Sequence, residues 1–331
     1  MKHLKLLFNI VFMFFMVVPS AKATDPLPSW NNGDAKNAII DFVTRTTTED
    51  SADYVRPAER IAVFDNDGTL WTEQPVYSQM FFILDQTKTL ADSHPEWTTT
   101  EPFASAIKGD LKAVASQGKS ALDKLLMETH AGLTQEEYTE RVQKWLETAR
   151  HPVRKTHYSE TVYQPMIELL GYLRAHGFKT YIVTGGGVDF VRAFSEKFYG
   201  IPPEQVIGSS LKTRWVDTKT GFAVVKQPEP GFVDDKEGKP IAINLHIGRR
   251  PIMAFGNSDG DLQMLQWTMA GKGPRFALIV HHTDEIREVA YDRQSEIGTL
   301  DKALDEAIRG KWVIVDMKKD WRTVFPASIG N

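Results

Sequence analysis

The chain contains no cysteine among its 331 residues. Disulfides and thiolate chemistry are therefore excluded, as is a lipid anchor built on a cysteine, and stability must come from an ordinary hydrophobic core. An excess of positive charge is missing too: 39 lysines and arginines face 43 acids, a formal net charge of −4. Nucleic acids and anionic membrane surfaces are held by clustered Lys and Arg, so both are poor partners for this composition. No HExxH or GxSxG stretch occurs, which leaves zinc-protease and serine-hydrolase readings without a foothold. Internal repeats and low-complexity tracts are absent as well.

The one long apolar run stands at the start. Lys2 and Lys5 precede Leu6–Val18, broken only by Asn9, and Ala21-Lys22-Ala23 follows. A charged segment, an apolar stretch of secretory length and a small-x-small site mark a cleavable export signal. The run is shorter than the roughly 20 residues a membrane-spanning helix needs. The expectation is a signal peptide over 1–23, cleaved after Ala23, and a periplasmic or secreted product with no membrane association afterwards. The leader carries three lysines and no acid, so its loss leaves a more acidic chain. The remainder suffices for about two domains or one large one.

Apolar spacing then gives the elements. Ala35, Ala38, Ile39, Phe42 and Val43 form a helical stripe behind an expected N-cap at Asp34. A short apolar strand, Ile61–Phe64, follows. Residues 76–158 read as helical, with Thr134 and Glu137 as a capping box ahead of Tyr138, Val142, Trp145 and Leu146. Such a block is too long for a loop and reads as an inserted helical domain. From 160 the rhythm changes. A helix carrying Met166, Leu169, Leu170 and Leu173 ends at His176-Gly177, and a strand over Thr180–Val183 stops at Thr184 and three glycines. A helix through Phe190, Val191, Phe194 and Phe198 leads to a strand at Val206–Ile207. Residues 213–226 read as a small hairpin laid on the core, with Gly221 at its turn. Strand Ile252–Phe255, helix Asp261–Met269 and strand Phe276–Val280 complete the pattern. Strands alternating with helices imply a doubly wound α/β core with a mostly parallel sheet. Domain limits of 24–75 and 159–331 for the core and 76–158 for the cap follow. The eight tryptophans are expected to pack core and cap.

Ligands of such sheets bind beyond the carboxyl ends of the strands. Three of these strands end in polar or glycine-rich text: Asp65-Asn66-Asp67-Gly68-Thr69, Thr184-Gly185-Gly186-Gly187, and Gly256-Asn257-Ser258-Asp259-Gly260-Asp261. Each has a bland reading. The first is a tight turn and the last a helix N-cap region, while the triple glycine fits neither GxGxxG nor a P-loop. A calcium loop fails on spacing, because Gly68 stands at position four where an EF-hand needs it at six. His281-His282 follow a strand near the same rim, but adjacent strand residues face opposite ways, so they do not suit one shared metal. The convergence of three polar strand ends on one rim is the specific signal.

On these residues the chain resembles the haloacid dehalogenase superfamily, and within it the phosphoserine-phosphatase-like branch. Asp65, Asn66, Asp67, Gly68 and Thr69 match its DxDGT motif, and Thr184 with Gly185-Gly186 matches its second. Lys239 is the better match to its lysine, ahead of Lys236, and Gly256, Asn257 and Asp261 match the fourth motif over a resemblance of about residues 60–280. The resemblance implies an Mg2+-dependent phosphatase acting on a small phosphorylated metabolite. Asp65 is then the nucleophile and Asp67 the general acid and base, while Thr184, Gly185 and Lys239 hold phosphate. Asp65, the Asp67 carbonyl and Asn257 hold the metal, and Asp261 orients a metal-bound water. Two departures stand out. Asn257 replaces the usual aspartate, which implies weaker metal affinity, and Gln74 stands where phosphoserine phosphatases have a glutamate for the substrate amine, with Glu73 next to it. The alternatives are a dehalogenase, disfavoured by Asp67 because those enzymes protonate no leaving oxygen, and a phosphate-ligand binding protein without turnover.

Overall fold

The computed structural model describes residues 25–218 and 221–327. The segment read as a signal peptide, and the start at Thr24, lie outside the described residues. Seven strands are present among them: β1 (Ile61–Phe64), β2 (Lys179–Gly187), β3 (Val206–Thr218), β4 (Gly221–Phe232), β5 (Met253–Gly256), β6 (Phe276–His281) and β7 (Val313–Asp316). They form one sheet in the order β4-β3-β2-β1-β5-β6-β7, parallel except where β3 meets β4. The central strand β1 is buried along its whole length, as its unbroken apolar run requires for a sheet covered on both faces.

Alternate residues of the sheet enter two cores. Ala62, Phe64, Ile182, Phe255 and Leu278 face one, under helices Asp34–Thr47 and Gln164–Ala175. Ile61, Val63, Val183, Ala254 and Ile279 face the other, under helices Gly238–His246, Leu262–Met269 and Lys302–Gly310. This is the doubly wound α/β architecture expected from the alternation of periods. Phe64 and Phe255, paired across β1 and β5, stack with ring centroids 4.2 Å apart. Fully burying one such ring contributes roughly 1.5–3 kcal/mol.

Several local expectations meet a different outcome. Helix Asp34–Thr47 is capped by Gly33, with Asp34 inside its first turn, where a carboxylate still complements the positive helix end. The helix expected through Phe190–Phe198 is two short ones, Val188–Arg192 and Ser195–Tyr199. Strand β2 runs through the glycines to Gly187, with an irregularity in its pairing between Thr184 and Gly187. The hairpin is much longer than 213–226. Strand β3 pairs with β2 at Val206–Ser209, then leaves it and pairs with β4 from Ser210 onward. The hairpin is thus an extension of the sheet, not an appendage laid on it. Helix Lys302–Gly310 and strand β7 lie beyond the reach of the sequence reading.

Between β1 and β2 the chain forms helices Ser78–Leu90, Phe103–Ile107, Leu111–Ser116, Lys119–His130 and Gln135–Thr148. Ile83, Leu84, Trp97, Phe103, Val114 and Leu125 give them a small core of their own. The last helix starts as expected: the Thr134 hydroxyl accepts from Glu137 N–H at 3.1 Å, and Glu137 accepts in return from Thr134 N–H at 2.9 Å. Its buried face, Tyr138, Val142 and Trp145, joins the main core, where Trp145 packs on Tyr158. The hairpin is tied to the same helical block, because Lys226 N–H donates to Leu133 carbonyl and Gly132 N–H to Lys226 carbonyl, both at 2.9 Å. Among the described residues, no helix is long and apolar enough to cross a membrane.

Candidate active site

The carboxyl ends of β1, β2 and β5 open into a cavity of about 510 Å³. Asp65, the first residue past β1, is positioned by its own backbone, whose N–H donates to Phe255 carbonyl of β5 at 2.9 Å. Its Oδ1 accepts from Lys239 Nζ at 2.6 Å. Lys239 stands at the second residue of helix Gly238–His246 and is buried. Its ammonium also donates to Asp261 Oδ1 at 2.6 Å and to Val183 carbonyl at 2.9 Å. All three donor positions are filled, which a buried ammonium requires. Of the two candidate lysines, Lys239 is therefore the one at the carboxylates. Lys236 takes a left-handed turn (φ 51°), its N–H donating to Gly260 carbonyl.

Asp67 lines the cavity two residues on, and Trp71 Nε1–H donates to its Oδ1 at 2.8 Å, holding it in place. Gly68 (φ 76°) turns the chain between them and Trp71. A side chain there would collide with Asn257 and Glu73, so this position needs glycine for space as well as conformation. Thr184 and Asn257 sit behind the cavity wall, both fully buried. The Thr184 hydroxyl accepts from Gly186 N–H at 3.0 Å, while Gly185, Gly186 and Gly187 themselves line the cavity. Asp261 spends its second oxygen on Asn257 N–H (2.9 Å) and Ser258 N–H (3.1 Å), so it shapes the loop as well as pairing Lys239.

Glu73, noted in the sequence only as the neighbour of Gln74, is the residue that reaches the site. It lines the cavity, is buried, and accepts from Asn257 Nδ2–H at 2.6 Å and Tyr291 O–H at 2.7 Å. Gln74, which takes the motif position, turns away and donates to Ile297 carbonyl at 3.0 Å. The amide at 257 thus has a local reason: an aspartate there would set two carboxylates against each other. Its Oδ1 meanwhile accepts from the Thr69 hydroxyl at 3.0 Å. No local pattern in the sequence marks Tyr291, since it is more than two hundred residues from Glu73. The two histidines do diverge. His282 Nε2 bonds the Gly68 carbonyl at 2.8 Å and its ring stacks on Tyr291, so it supports the first motif from behind. His281 faces Asp292 at 3.4 Å. Neither lines the cavity.

The electrostatics are those of crowded acids. Burial, then the Asp261 carboxylate, pushes Asp65 well above the ordinary range, against the pull of Lys239. Burial raises Asp67 and Glu73 too, and the Asp67 and Asp65 charges push Glu73 further. Lys239 is held above its usual value, burial being more than offset by Asp261 and Asp65. Perturbed groups gathered in one cleft are a mark of function.

Residues 62–266 match the family of haloacid dehalogenase-like hydrolases. The chain belongs to this family. Among solved structures, a conserved functionally unknown protein from Anaerococcus prevotii shares the fold, with 16% identity, a TM-score of 0.53, and coverage of 84% of this chain and 90% of that one. A phosphoserine phosphohydrolase-like protein from Francisella tularensis is also similar, at 16% identity and a TM-score of 0.38 over 76% of this chain and 98% of that one. No curated protein matches. The donor chemistry of this hydrolase fits a hard divalent cation: every candidate is oxygen, and Asp65, Asp67 and Glu73 face the cavity, with Lys239 paired to Asp65. Among the described residues no three His, Asp or Glu side chains converge as a ligand set. Asn257, the other expected donor, stands behind the wall with its Oδ1 accepting from the Thr69 hydroxyl.

Proposed function

We propose that this hydrolase is an exported, magnesium-dependent phosphatase of the phosphoserine-phosphatase-like branch, cleaving a small phosphomonoester through an aspartyl-phosphate. The observation that carries the reading is the Lys239 ammonium, 2.6 Å from both Asp65 and Asp261, with Asp67 facing the same cavity. Asp65 Oδ attacks phosphorus, the bond to the ester oxygen breaks, and Asp67 gives its proton to that oxygen. Asp67 then takes a proton from water, whose oxygen attacks phosphorus and releases Asp65. Burial, which raises Asp67, favours the protonated form that the first step needs. The Lys239 charge and the Gly185 amide balance the phosphoryl oxygens, the main work in phosphoryl transfer. Magnesium, when held by Asp65, the Asp67 carbonyl and Asn257, supplies further charge neutralisation. Asp261 acts through Lys239 and the 256–258 backbone. The helical block over 76–158 serves as a cap, and cleavage after Ala23 places the enzyme in the periplasm or outside the cell.

The test is a phosphate-release assay over a panel of phosphomonoesters in heavy-oxygen water. The expected result is turnover in the wild type, none in Asp65→Asn, and heavy oxygen in the released phosphate. Label in the Asp65 carboxylate would instead indicate attack of water on an acyl carbon, the dehalogenase route. Binding of phosphate with no turnover on any ester would leave a ligand-binding protein. N-terminal sequencing of the exported product should begin at Thr24.

A further inference from the structure

The cavity floor is charged, whereas the wall facing it is mostly apolar. Met80, Ile83, Leu126 and Met127 from the helical block and Leu211 and Phe232 from the hairpin contribute apolar surface to it. The buried cation on this wall is already paired. Lys226, buried, pairs with Asp189 and lies over the Tyr138 ring at 4.9 Å. Lys119 and Asp123 stand one turn apart on one helix. His130 is joined to the Tyr138 hydroxyl at 2.8 Å and is neutral, burial holding its pKa at about 3. Along the apolar stretch of this wall a charged leaving group would surrender hydration without meeting a free counter-charge, since Lys226 is already paired with Asp189 and Lys119 is solvent-exposed. The size matches a whole organic molecule, since pockets of about 300–1,000 Å³ take such ligands.

We infer that the substrate's alcohol half is uncharged and largely apolar, an alkyl or aryl body bigger than an amino-acid side chain, seated between the helical block and the hairpin. The inference rests on the reading of Asp65 as phosphoryl acceptor, and it separates this enzyme from one built for a zwitterionic amino-acid ester. Apolar contact is additive in area, so each methylene buried on this wall contributes about a 4-fold gain, equivalent to ~0.8 kcal/mol.

Two series test it on the full-length mature protein: alkyl phosphates from ethyl to hexyl with phenyl phosphate, O-phosphoserine and phosphoethanolamine for turnover, and the matching alkylphosphonates for calorimetric binding. The expected result is a kcat/KM that climbs about 4-fold per methylene, phosphonate affinities that climb in parallel, and the two amine esters at the bottom. Met127→Asp should flatten both series and Met127→Leu should keep them. A flat series, or phosphoserine as the preferred ester, overturns the inference while leaving the phosphatase reading intact. No turnover of any ester, with phosphonates still tightening along the series, defeats the phosphatase reading and upholds the apolar wall.

Discussion

The floor and the roof of the cavity are built in opposite ways. On the floor, carboxylates and one ammonium are buried at the ends of three parallel strands, with bonds of 2.6–2.8 Å to Asp65, Asp67, Asp261 and Glu73. On the roof, half-buried Met80, Leu126, Met127 and Leu211 hang from helices and a hairpin, and fixed polar contacts are made by Gln79, Lys226, His130 and Tyr138. The floor therefore tolerates little change, because a buried charge that loses its partner has no solvent to fall back on. The roof can be recut with little risk to the chemistry. Rigid scaffolds carry reactions and adaptable surfaces carry selectivity, and here the two meet in one cavity.

The largest break in this contrast is expected from Asp67→Asn. Loss of the proton donor should slow alkyl phosphate hydrolysis by about 10²–10⁴-fold. Nitrophenyl phosphate should lose much less, because its leaving oxygen needs little protonation. Equal losses for both esters in steady-state assays would argue against Asp67 as the acid.

Lys239→Met removes the cation shared by Asp65 and Asp261, and should lower stability by roughly 3–5 kcal/mol. The loss should be greater at pH 8 than at pH 5, since burial already pushes Asp65 upward and its protonation relieves the unpaired charge. Urea unfolding at the two pH values measures it; a stability within error of wild type would contradict the three-way bond at Lys239.

Asn257→Asp sharpens the comparison more gently. It replaces the amide donor to Glu73 by a second carboxylate, costing about 1–3 kcal/mol in metal-free buffer. Added magnesium should narrow the gap, because the extra charge favours a divalent cation. Melting curves with and without magnesium decide it, and identical curves for both proteins in chelator would rule out the Glu73 contact.

On the roof the smallest change is expected from His130→Gln. The folded protein keeps His130 neutral down to about pH 3, whereas the unfolded chain protonates near 6.5. Stability is thus present above the unfolded pKa and is lost as pH falls from about 6.5 toward 3. The variant should flatten that part of the stability profile while leaving stability at pH 8 close to wild type. An unchanged acid limb in denaturant titrations would place the sensitivity elsewhere.

The amino-acid sequence by itself determined the alternation of strands and helices, the buried central strand, the capping box at Thr134 and the carboxylates at the strand ends. These are local properties: period, cap and turn chemistry act over a few residues. Tertiary structure decided the rest. It put Lys239 rather than Lys236 at the carboxylates, turned Gln74 away and brought in Glu73, and gave His282 the Gly68 carbonyl to hold. It also carried β3 from one partner strand to another, so that the hairpin reached the helical block and closed the roof. Each of these choices joins residues tens to hundreds of positions apart, and such a contact is set by which buried polar groups find partners in three dimensions, a condition that no local spacing expresses.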